Sequence, residues 1–449
     1  MPRPLDGLRV VDLTRIVAGP LATQIFGDYG AEIIKIEQPG TGDDSRQWAP
    51  PVAPDGSAAY FFSINRNKKS VTLNLKHPRG KEILKALVRQ ADVVIENFKP
   101  GTMEDLGLGY ETLRRENPRL IYCAISGFGA SGPKREWAGY DSIIQGVTGL
   151  MSITGEADGP PVKVGVALID EITALYAHGA VLAALLHRER TGQGQKVECS
   201  LLESGVASLM NAAISYLLAG EIQGRYGSAH ASVVPYQAFK AKDDYLMVGV
   251  GNERLWKTFC EVIGAPEWAD DPRFNGNAKR VEHREELVRM IEERLQARTR
   301  DEWVDAFGAA GLPTGPINNV GDVFQDPQVL HRGMVQEVVH PTAGKVRLVG
   351  VPVKFSETPG EITSLRGLEG LSGRRALERR RVDDKGLERA RAERLHAMGH
   401  PRREEARRAG SDLALVVPHL HQRAALDDVH GLLHLVGVPL GHAPGLDSA

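Results

Sequence analysis

Two aspartates stand where a carboxylate could act on a substrate. Asp170 follows a β-like run at 162–168, whose length predicts a strand or a loop. After it comes an apolar run at 172–186 that contains no charged residue and predicts a buried helix. Asp is a favoured N-cap, and a helix dipole also stabilises a carboxylate anion at this position, so the pattern suits both a cap and a nucleophile. Asp141, beside Tyr140 in a Gly-rich run, could likewise start a helix or face a cleft, and the pattern favours the helix start.

Basic and glycine-rich segments are further candidates for binding. The run at 65–69 (NRNKK) precedes a predicted strand, and Lys76 and Lys99 follow two other strands. Ligands of α/β sheets gather at strand ends, so these cations could meet a ligand phosphate, or they could form solvated turns. The run at 127–132 fits G-x-G-x-x-G, but Pro133 follows at once and no helix pattern opens there. We therefore interpret it as a turn and not as a dinucleotide loop.

Composition narrows the function classes. The chain has 449 residues, of which 42% are hydrophobic and 25% charged, and its formal net charge is −2. A chain of this length can form two or more domains, and the small net charge argues against nucleic-acid binding. We found no apolar run of the about 18 residues that a membrane span needs, and no secretion signal. Cys123, Cys199 and Cys260 are isolated. We therefore expect a cytoplasmic protein with no membrane segment and no metal.

Alternating patterns predict the fold. Nearly all-apolar strands alternate with helices over the first 200 residues, which predicts a parallel α/β sheet covered on both faces. The predicted strands lie at 8–13, 31–37, 71–74, 92–98 and 120–126. Later patterns predict a hairpin at 239–250, helices at 284–295 and 300–309, and a strand within 331–358 that rejoins the first domain. The predicted division is a large domain at 1–205, a linker helix at 206–224, a small domain at 225–330, a return to the large domain at 331–362 and a tail at 363–449.

The tail has a different composition. Residues 363–449 contain no Phe, Tyr, Trp, Ile, Asn or Cys, yet they hold half of the chain's 14 His. Low aromatic content with dense charge is typical of a poorly packed segment. The same bias would result from a GC-rich gene translated in a shifted frame. We state both as hypotheses.

The assembled motifs resemble one family, the class III CoA-transferases of the formyl-CoA transferase type. The matching segments include LDGLRVVDLTRIVAGP at 5–20, GAEIIKIEQPGTGD at 30–43, DVVIENFKPG at 92–101 and LIDEITALYAHGAVLAAL at 168–185. The resemblance extends over residues 5–358. Within the family, NRNKKS and GSAHASVVPYQAF are most similar to the branch that transfers CoA from succinyl-CoA to glutarate or another dicarboxylate.

The resemblance implies a fold and a reaction. The fold is a Rossmann-like large domain with an inserted small α+β domain, in an interlocked homodimer. The substrates are an acyl-CoA and a free carboxylic acid, with CoA as a substrate moiety and no tightly bound cofactor. Asp170 aligns with the family nucleophile, which forms an acyl anhydride and then an aspartyl–CoA thioester.

The resemblance also implies CoA contacts, which carry over unevenly. Gln38 and Asp105 stand where formyl-CoA transferases have arginines, so we expect Arg46, Arg66 or Lys69 to compensate. For the acceptor carboxylate, the sequence positions of Arg15, Arg225 and His230 make them candidates. The predicted CoA-binding residues are Val17, Gln38, Arg66, Asn74, Leu75, Lys76, Asn97, Phe98, Lys99 and Tyr140.

Two other functions remain as alternatives. The racemase branch of the same family epimerises 2-methylacyl-CoA with an acid–base pair, and it carries His where this chain has Tyr140. A phenol is a poor base at neutral pH, which disfavours this alternative. A non-catalytic CoA-binding protein would explain the basic segments but would leave Asp170 without a chemical role.

Overall fold

A computed structural model of the protein describes residues 2–365. The described chain divides into two compact units. Among the described residues, the first unit comprises 2–136, 173–199 and 336–365, and the second comprises Trp137–Ile172 and Ser200–Val335. The hypotheses about the tail concern residues that lie almost entirely outside the described range.

Eleven β-strands are present in the described residues. They are β1 Arg9–Asp12, β2 Glu32–Glu37, β3 Lys68–Thr72, β4 Val93–Glu96, β5 Ile121–Ser126, β6 Lys196–Ser200, β7 Tyr236–Lys240, β8 Tyr245–Gly249, β9 Thr314–Pro316, β10 Val335–His340 and β11 Gly344–Val349.

Fifteen α-helices accompany these strands in residues 2–365. They are α1 Ala18–Asp28, α2 Ala59–Ile64, α3 Pro78–Val88, α4 Thr102–Asp105, α5 Tyr110–Glu116, α6 Asp141–Val147, α7 Leu168–Thr191, α8 Leu201–Ala207, α9 Met210–Ala219, α10 Glu253–Val262, α11 Asn277–Glu282, α12 Arg284–Leu295, α13 Arg300–Ala309, α14 Val320–Val323 and α15 Pro327–His331.

The first unit is built on a six-stranded sheet with the order β3-β2-β1-β4-β5-β6. The pairs β1–β2, β2–β3, β1–β4 and β4–β5 are parallel. All four residues of β4 are buried, as expected for a strand covered on both faces. Because the strand order reverses between β1 and β4, a crevice is expected at their carboxyl ends, where ligands of such sheets bind.

The second unit has its own hydrophobic core. Strands β7, β8 and β9 form an antiparallel sheet whose apolar face packs with the helices that follow. Stacked rings join Trp256, Phe259, Phe307 and Trp303 in this core. Polar caps define the helix starts: Asn252 accepts a hydrogen bond from the Leu255 N–H at 2.9 Å.

Most predicted elements are confirmed. The five early strands, the hairpin and helices α12 and α13 occur where the patterns place them, although β3 begins at Lys68, earlier than predicted. Of the two alternatives for the run at 162–168, a strand or a loop, the loop is confirmed, since no strand forms there before α7. The expected returning strand within 331–358 is present as two strands, β10 and β11, which form a separate two-stranded sheet.

Helix α7 contains the long apolar run of the sequence. It has 24 residues, and by length and composition alone it could cross a membrane. Its most apolar window is 44% buried within the protein, and the core helix of a soluble protein meets the same criterion. This helix is therefore weak evidence for a membrane span.

Candidate active site

A cavity of about 400 Å³ lies in the first unit at the carboxyl ends of β1 to β4. It is located at the reversal of strand order, where the topology predicts a ligand crevice. Five residues that the family resemblance assigns to CoA line this one cavity, although they come from three separate segments of the chain. They are Gln38, Asn74, Leu75, Lys76 and Phe98.

Asn97 supports the wall of this cavity. Its side-chain oxygen accepts a hydrogen bond from the Arg15 N–H at 3.0 Å, and its Nδ2 donates to the Arg15 carbonyl at 2.7 Å. Arg15 itself lines the cavity. Asn97 therefore ties the end of β4 to the end of β1, across the point where the strand order reverses.

Two buried lysines and two buried aspartates lie beneath the cavity. Lys35 Nζ lies 2.9 Å from Asp43 Oδ2, and Lys68 Nζ lies 3.2 Å from Asp12 Oδ2. Burial alone would raise the pKa of Asp12, but the charges of Lys68 and Lys35 outweigh it and lower that pKa. Burial lowers the pKa of Lys68 to about 8. These pairs fix the strand ends at the cavity, and the sequence motifs that contain these residues did not reveal the pairing.

Ile16 adopts a strained backbone at the edge of this network. Its φ of 74° lies in the left-handed region, which a β-branched residue rarely adopts. The Asp43 carboxylate accepts the Ile16 N–H at 3.1 Å and so holds this conformation. Strain of this kind occurs at functional sites where the surroundings determine the backbone, and Val17, a predicted CoA contact, follows directly. Val17 is buried and precedes α1.

The three cations expected to compensate for missing arginines are all paired with carboxylates. Arg66 binds both oxygens of Asp28, at 2.9 and 2.7 Å, and also donates to the Val349 carbonyl. Arg46 binds Glu37 through two hydrogen bonds. Arg66 is buried and bound in this way, which favours a role in the structural framework, and its contact with CoA stays a prediction.

Arg46 and Lys69 likewise have local partners. Arg46 lies over the Phe61 ring at 3.7 Å, and Lys69 Nζ lies 2.6 Å from Glu32 Oε1. The cations on the cavity wall are instead Arg15 and Lys76. Within this cavity, Arg15 and Lys76 are therefore the cations that could compensate for Gln38.

Lys99 and Asp105 line a second cavity of about 460 Å³, at the ends of β4, β5 and β6. Glu96 lies in the same wall and is only 8% exposed. Burial raises the pKa of Glu96 to about 7, although its carboxylate accepts hydrogen bonds from the Phe98 N–H and the Tyr122 hydroxyl. Phe98 lines both cavities, whereas Lys99 lines only the second one and is thus separated from Asn74, Leu75 and Lys76.

Asp170 lies in the second unit, in the first turn of α7. It is the third residue of the helix, so it does not occupy the N-cap position that the sequence pattern allowed. Its side chain is 8% exposed. The helix dipole stabilises a carboxylate in the first turn as the anion, which is the form that attacks an acyl carbon.

Asp141 supplies the missing cap. Its Oδ1 accepts hydrogen bonds from the N–H groups of Ile169 at 2.7 Å and Asp170 at 3.3 Å. Gln145 donates to the other carboxylate oxygen at 2.6 Å. Asp141 is the first residue of α6, and the exposed Tyr140 is the residue before that helix. The sequence did not reveal this contact, because nothing in the local pattern links residues 28 positions apart.

The candidates for the acceptor carboxylate have local partners in the second unit. Arg225 donates to the carbonyls of Glu156, Ala157 and Gly159 and so joins two loops. His230 Nδ1 accepts the N–H of a neighbouring residue at 3.1 Å. Arg15, in the first unit, pairs with an exposed aspartate at 3.2 Å. Arg225 is therefore better explained as a structural link.

The glycine-rich run at 127–132 forms bends and turns, and no helix begins at its third glycine. A dinucleotide loop needs that helix start, so the interpretation as a turn is confirmed. Among residues 2–365 we found no group of three or more His, Cys, Asp or Glu side chains arranged to hold a metal ion.

Comparison with known proteins shows extended similarity. The family model for CoA-transferase family III matches residues 5–366. Succinyl-CoA:glutarate CoA-transferase of Mus musculus is 47% identical over 355 residues, which cover 79% of this chain and 81% of that protein. Succinate–glutarate CoA-transferase of Agrobacterium fabrum is 42% identical and covers 79% of this chain and 90% of that protein. A crystal structure of a CAIB/BAIF family protein from Brucella suis matches with a TM-score of 0.73 and 42% identity, over 82% of this chain and 98% of that one.

Proposed function

The chain belongs to CoA-transferase family III and is a CoA-transferase, and we propose that it moves CoA from succinyl-CoA to glutarate or a similar dicarboxylate. The relatives at 47% and 42% identity are named for succinyl or succinate and glutarate. A relative from Acetobacter aceti named for acetyl-CoA and oxalate is 40% identical. Oxalate is also a dicarboxylate, so all three names agree on that class, and the choice of succinyl-CoA and glutarate rests on the two more similar relatives.

The observation that best supports CoA binding is the cavity at the carboxyl ends of β1, β2, β3 and β4. Five residues assigned to CoA by sequence resemblance alone line it together. Lys76 and Arg15 bring positive charge to its wall, which suits the phosphates of CoA. We include Asn97 and Val17 because they adjoin the Arg15–Ile16 segment, and we retain Lys99 and Tyr140 as proposals from the resemblance.

In the proposed mechanism, Asp170 is the nucleophile. Its carboxylate attacks the thioester carbonyl of the donor, the carbon–sulfur bond breaks, and an acyl–aspartyl anhydride forms with release of CoA thiolate. The thiolate attacks the aspartyl carbonyl, releasing the donor acid and leaving an aspartyl–CoA thioester. The acceptor carboxylate then attacks this thioester, which gives an acceptor–aspartyl anhydride and frees the CoA thiolate. The thiolate attacks the acceptor carbonyl of this anhydride, which forms the new acyl-CoA and releases the Asp170 carboxylate. Two successive exchanges thus replace one difficult step, and no net proton is transferred.

We further propose that the enzyme is a cytoplasmic homodimer. Helix α9 and the residues after it expose large apolar side chains, with Leu217, Leu218 and Ile222 at 73, 82 and 85% exposure. Exposed apolar groups at this density mark an interaction surface, and a second copy is the partner that the resemblance implies. Light scattering after size-exclusion chromatography should give the mass of a dimer, and the mass of a monomer at micromolar concentration would contradict this assignment.

The mechanism is tested by trapping the enzyme-bound acyl group. Incubation with succinyl-CoA and hydroxylamine should leave a hydroxamate at Asp170, seen by mass spectrometry. D170A should lose both the adduct and CoA exchange, by roughly 10⁴-fold or more, since the covalent route then has no nucleophile. E171Q, which changes the adjacent exposed acid in the same turn, is the matched control and should keep full activity.

A donor and acceptor panel tests the substrate class. Succinyl- and glutaryl-CoA should react faster than formyl- or butyrobetainyl-CoA, with dicarboxylates as acceptors. Exchange confined to monocarboxylates would refute the dicarboxylate assignment. If deuterium from solvent enters the α-position of a 2-methylacyl-CoA without an acceptor acid, the racemase alternative would be correct instead.

A further inference from the structure

We propose that Asp141 is a positioning residue for Asp170: its carboxylate, held by Gln145, caps α7 and fixes the turn that carries the nucleophile. The inference rests on the proposed role of Asp170. In this proposal, Asp141 and Gln145 influence the reaction by holding the backbone that carries Asp170.

The first turn of α7 lacks an ordinary N-cap. The first four N–H groups of a helix have no partner within the helix, and the side chain just before it usually accepts one of them. Ala167 occupies that position and has no acceptor. The carboxylate of Asp141 serves instead, with its Oδ1 at 2.7 Å from the Ile169 nitrogen and 3.3 Å from the Asp170 nitrogen.

Gln145 extends the same support to the preceding loop. It lies one turn after Asp141 on α6 and is completely buried. Its Nε2 donates to Asp141 Oδ2 at 2.6 Å, and its Oε1 accepts the Val164 N–H at 2.9 Å. Both ends of the loop from Val164 to Ile169 are therefore bound to one face of α6.

This loop would be mobile without the two contacts. It contains Gly165, which has open space around its Cα, and Val166, which is 61% exposed. Buried hydrogen bonds to a carboxylate are stronger than those between neutral groups, so the bonds to Asp141 order the turn firmly. Displacing a reacting group by about 1 Å can slow a reaction by about 100-fold. Loss of the Asp141 carboxylate should therefore slow the attack by Asp170.

Single-turnover kinetics test the proposal. The rate of adduct formation from succinyl-CoA is measured per active site by hydroxylamine trapping, beside the dissociation constant of CoA by calorimetry. D141A should slow adduct formation about 100-fold, while CoA binding changes less than about twofold. D141N retains an acceptor oxygen for the two N–H groups and should recover the rate to within about tenfold of the wild type.

N252A is the matched control, because it removes a side-chain cap from α10 in the same unit. It should lower the melting temperature by an amount similar to D141A and leave the rate per site unchanged. An unchanged rate per site in D141A would overturn the proposal and reduce Asp141 to a structural cap.

Two further outcomes would overturn either the positioning role of Asp141 or the nucleophilic role of Asp170. Should D141A fail to fold, unchanged rates in both D141N and Q145L would overturn the proposal, since each breaks part of the same network. Full exchange activity in D170A would instead overturn the proposed nucleophile, and this result is distinguishable because it does not depend on Asp141.

Discussion

Glu96 predicts a measurable pH dependence of stability. It is the last residue of β4 and directly precedes the predicted CoA contacts Asn97 and Phe98. Burial raises its pKa from 4.5 to about 7, and the hydrogen bonds from the Phe98 N–H at 2.8 Å and the Tyr122 hydroxyl at 3.2 Å offset only part of that effect. The folded protein therefore binds a proton at Glu96 more tightly than the unfolded chain does.

The sign and size of the stability change with pH follow from this difference in proton binding. Between pH 4.5 and about 7 the folded state holds more protons, so the free energy of unfolding falls as pH rises through that interval. At about 1.36 kcal/mol per pH unit, the full cost above pH 7 is about 3 kcal/mol. E96Q removes the charge but keeps an acceptor for Phe98. It should equal the wild type near pH 4.5 and exceed its stability by about 2–3 kcal/mol at pH 8.

Urea unfolding at pH 5, 6, 7 and 8 checks this expectation. Y122F removes one bond that stabilises the ionised Glu96, so it should extend the loss of stability to higher pH. The double variant of Y122F with E96Q should lack the pH dependence of stability that Glu96 causes. A difference between E96Q and the wild type that stays constant from pH 5 to 8 would refute the reasoning.

Three further substitutions test which residues support the structure and which bind CoA. G80A should weaken CoA binding about tenfold or more by calorimetry, because a Cβ there would lie 2.1 Å from the Asn74 carbonyl oxygen and must displace that segment. K76A should weaken CoA binding about tenfold at low salt and less at high salt, since an exposed charge pair is screened; equal effects at both salt levels would contradict this. R66M should lower the free energy of unfolding by about 3–5 kcal/mol, because it leaves the buried Asp28 without its ion-pair partner. The CoA dissociation constant of the folded protein should stay unchanged. Weaker CoA binding in R66M would show instead that Arg66 contacts CoA.

Much of the first unit could be predicted because its strands are short apolar runs between clear helix signals. Pro78 at the start of α3 and the buried run of β4 are examples. The run at 162–168 could be a strand or a loop by its sequence, because it is apolar but interrupted by Gly165. In the structure it is a loop before α7.

The buried charges could not be predicted from local sequence. Lys68 and Lys69 stand side by side in one basic run, yet Lys68 is buried against Asp12 whereas Lys69 is exposed and pairs with Glu32. Alternation along β3 separates the two side chains, and only the sheet register brings each to its partner. Arg66, in the same run, was assigned to CoA for its charge, and its partner Asp28 lies 38 positions away.

The position of Asp170 resolves a conflict that the sequence left open. A single carboxylate that both capped α7 and attacked a thioester would have to leave its N–H partners during each turnover. In the structure the Ile169 and Asp170 N–H groups bond to Asp141, so the capping role has a separate residue. The two roles should therefore respond differently to mutation. Loss of Asp141 should cost about 1 kcal/mol of stability together with rate, whereas loss of Asp170 should abolish the adduct in an enzyme whose α7 remains capped.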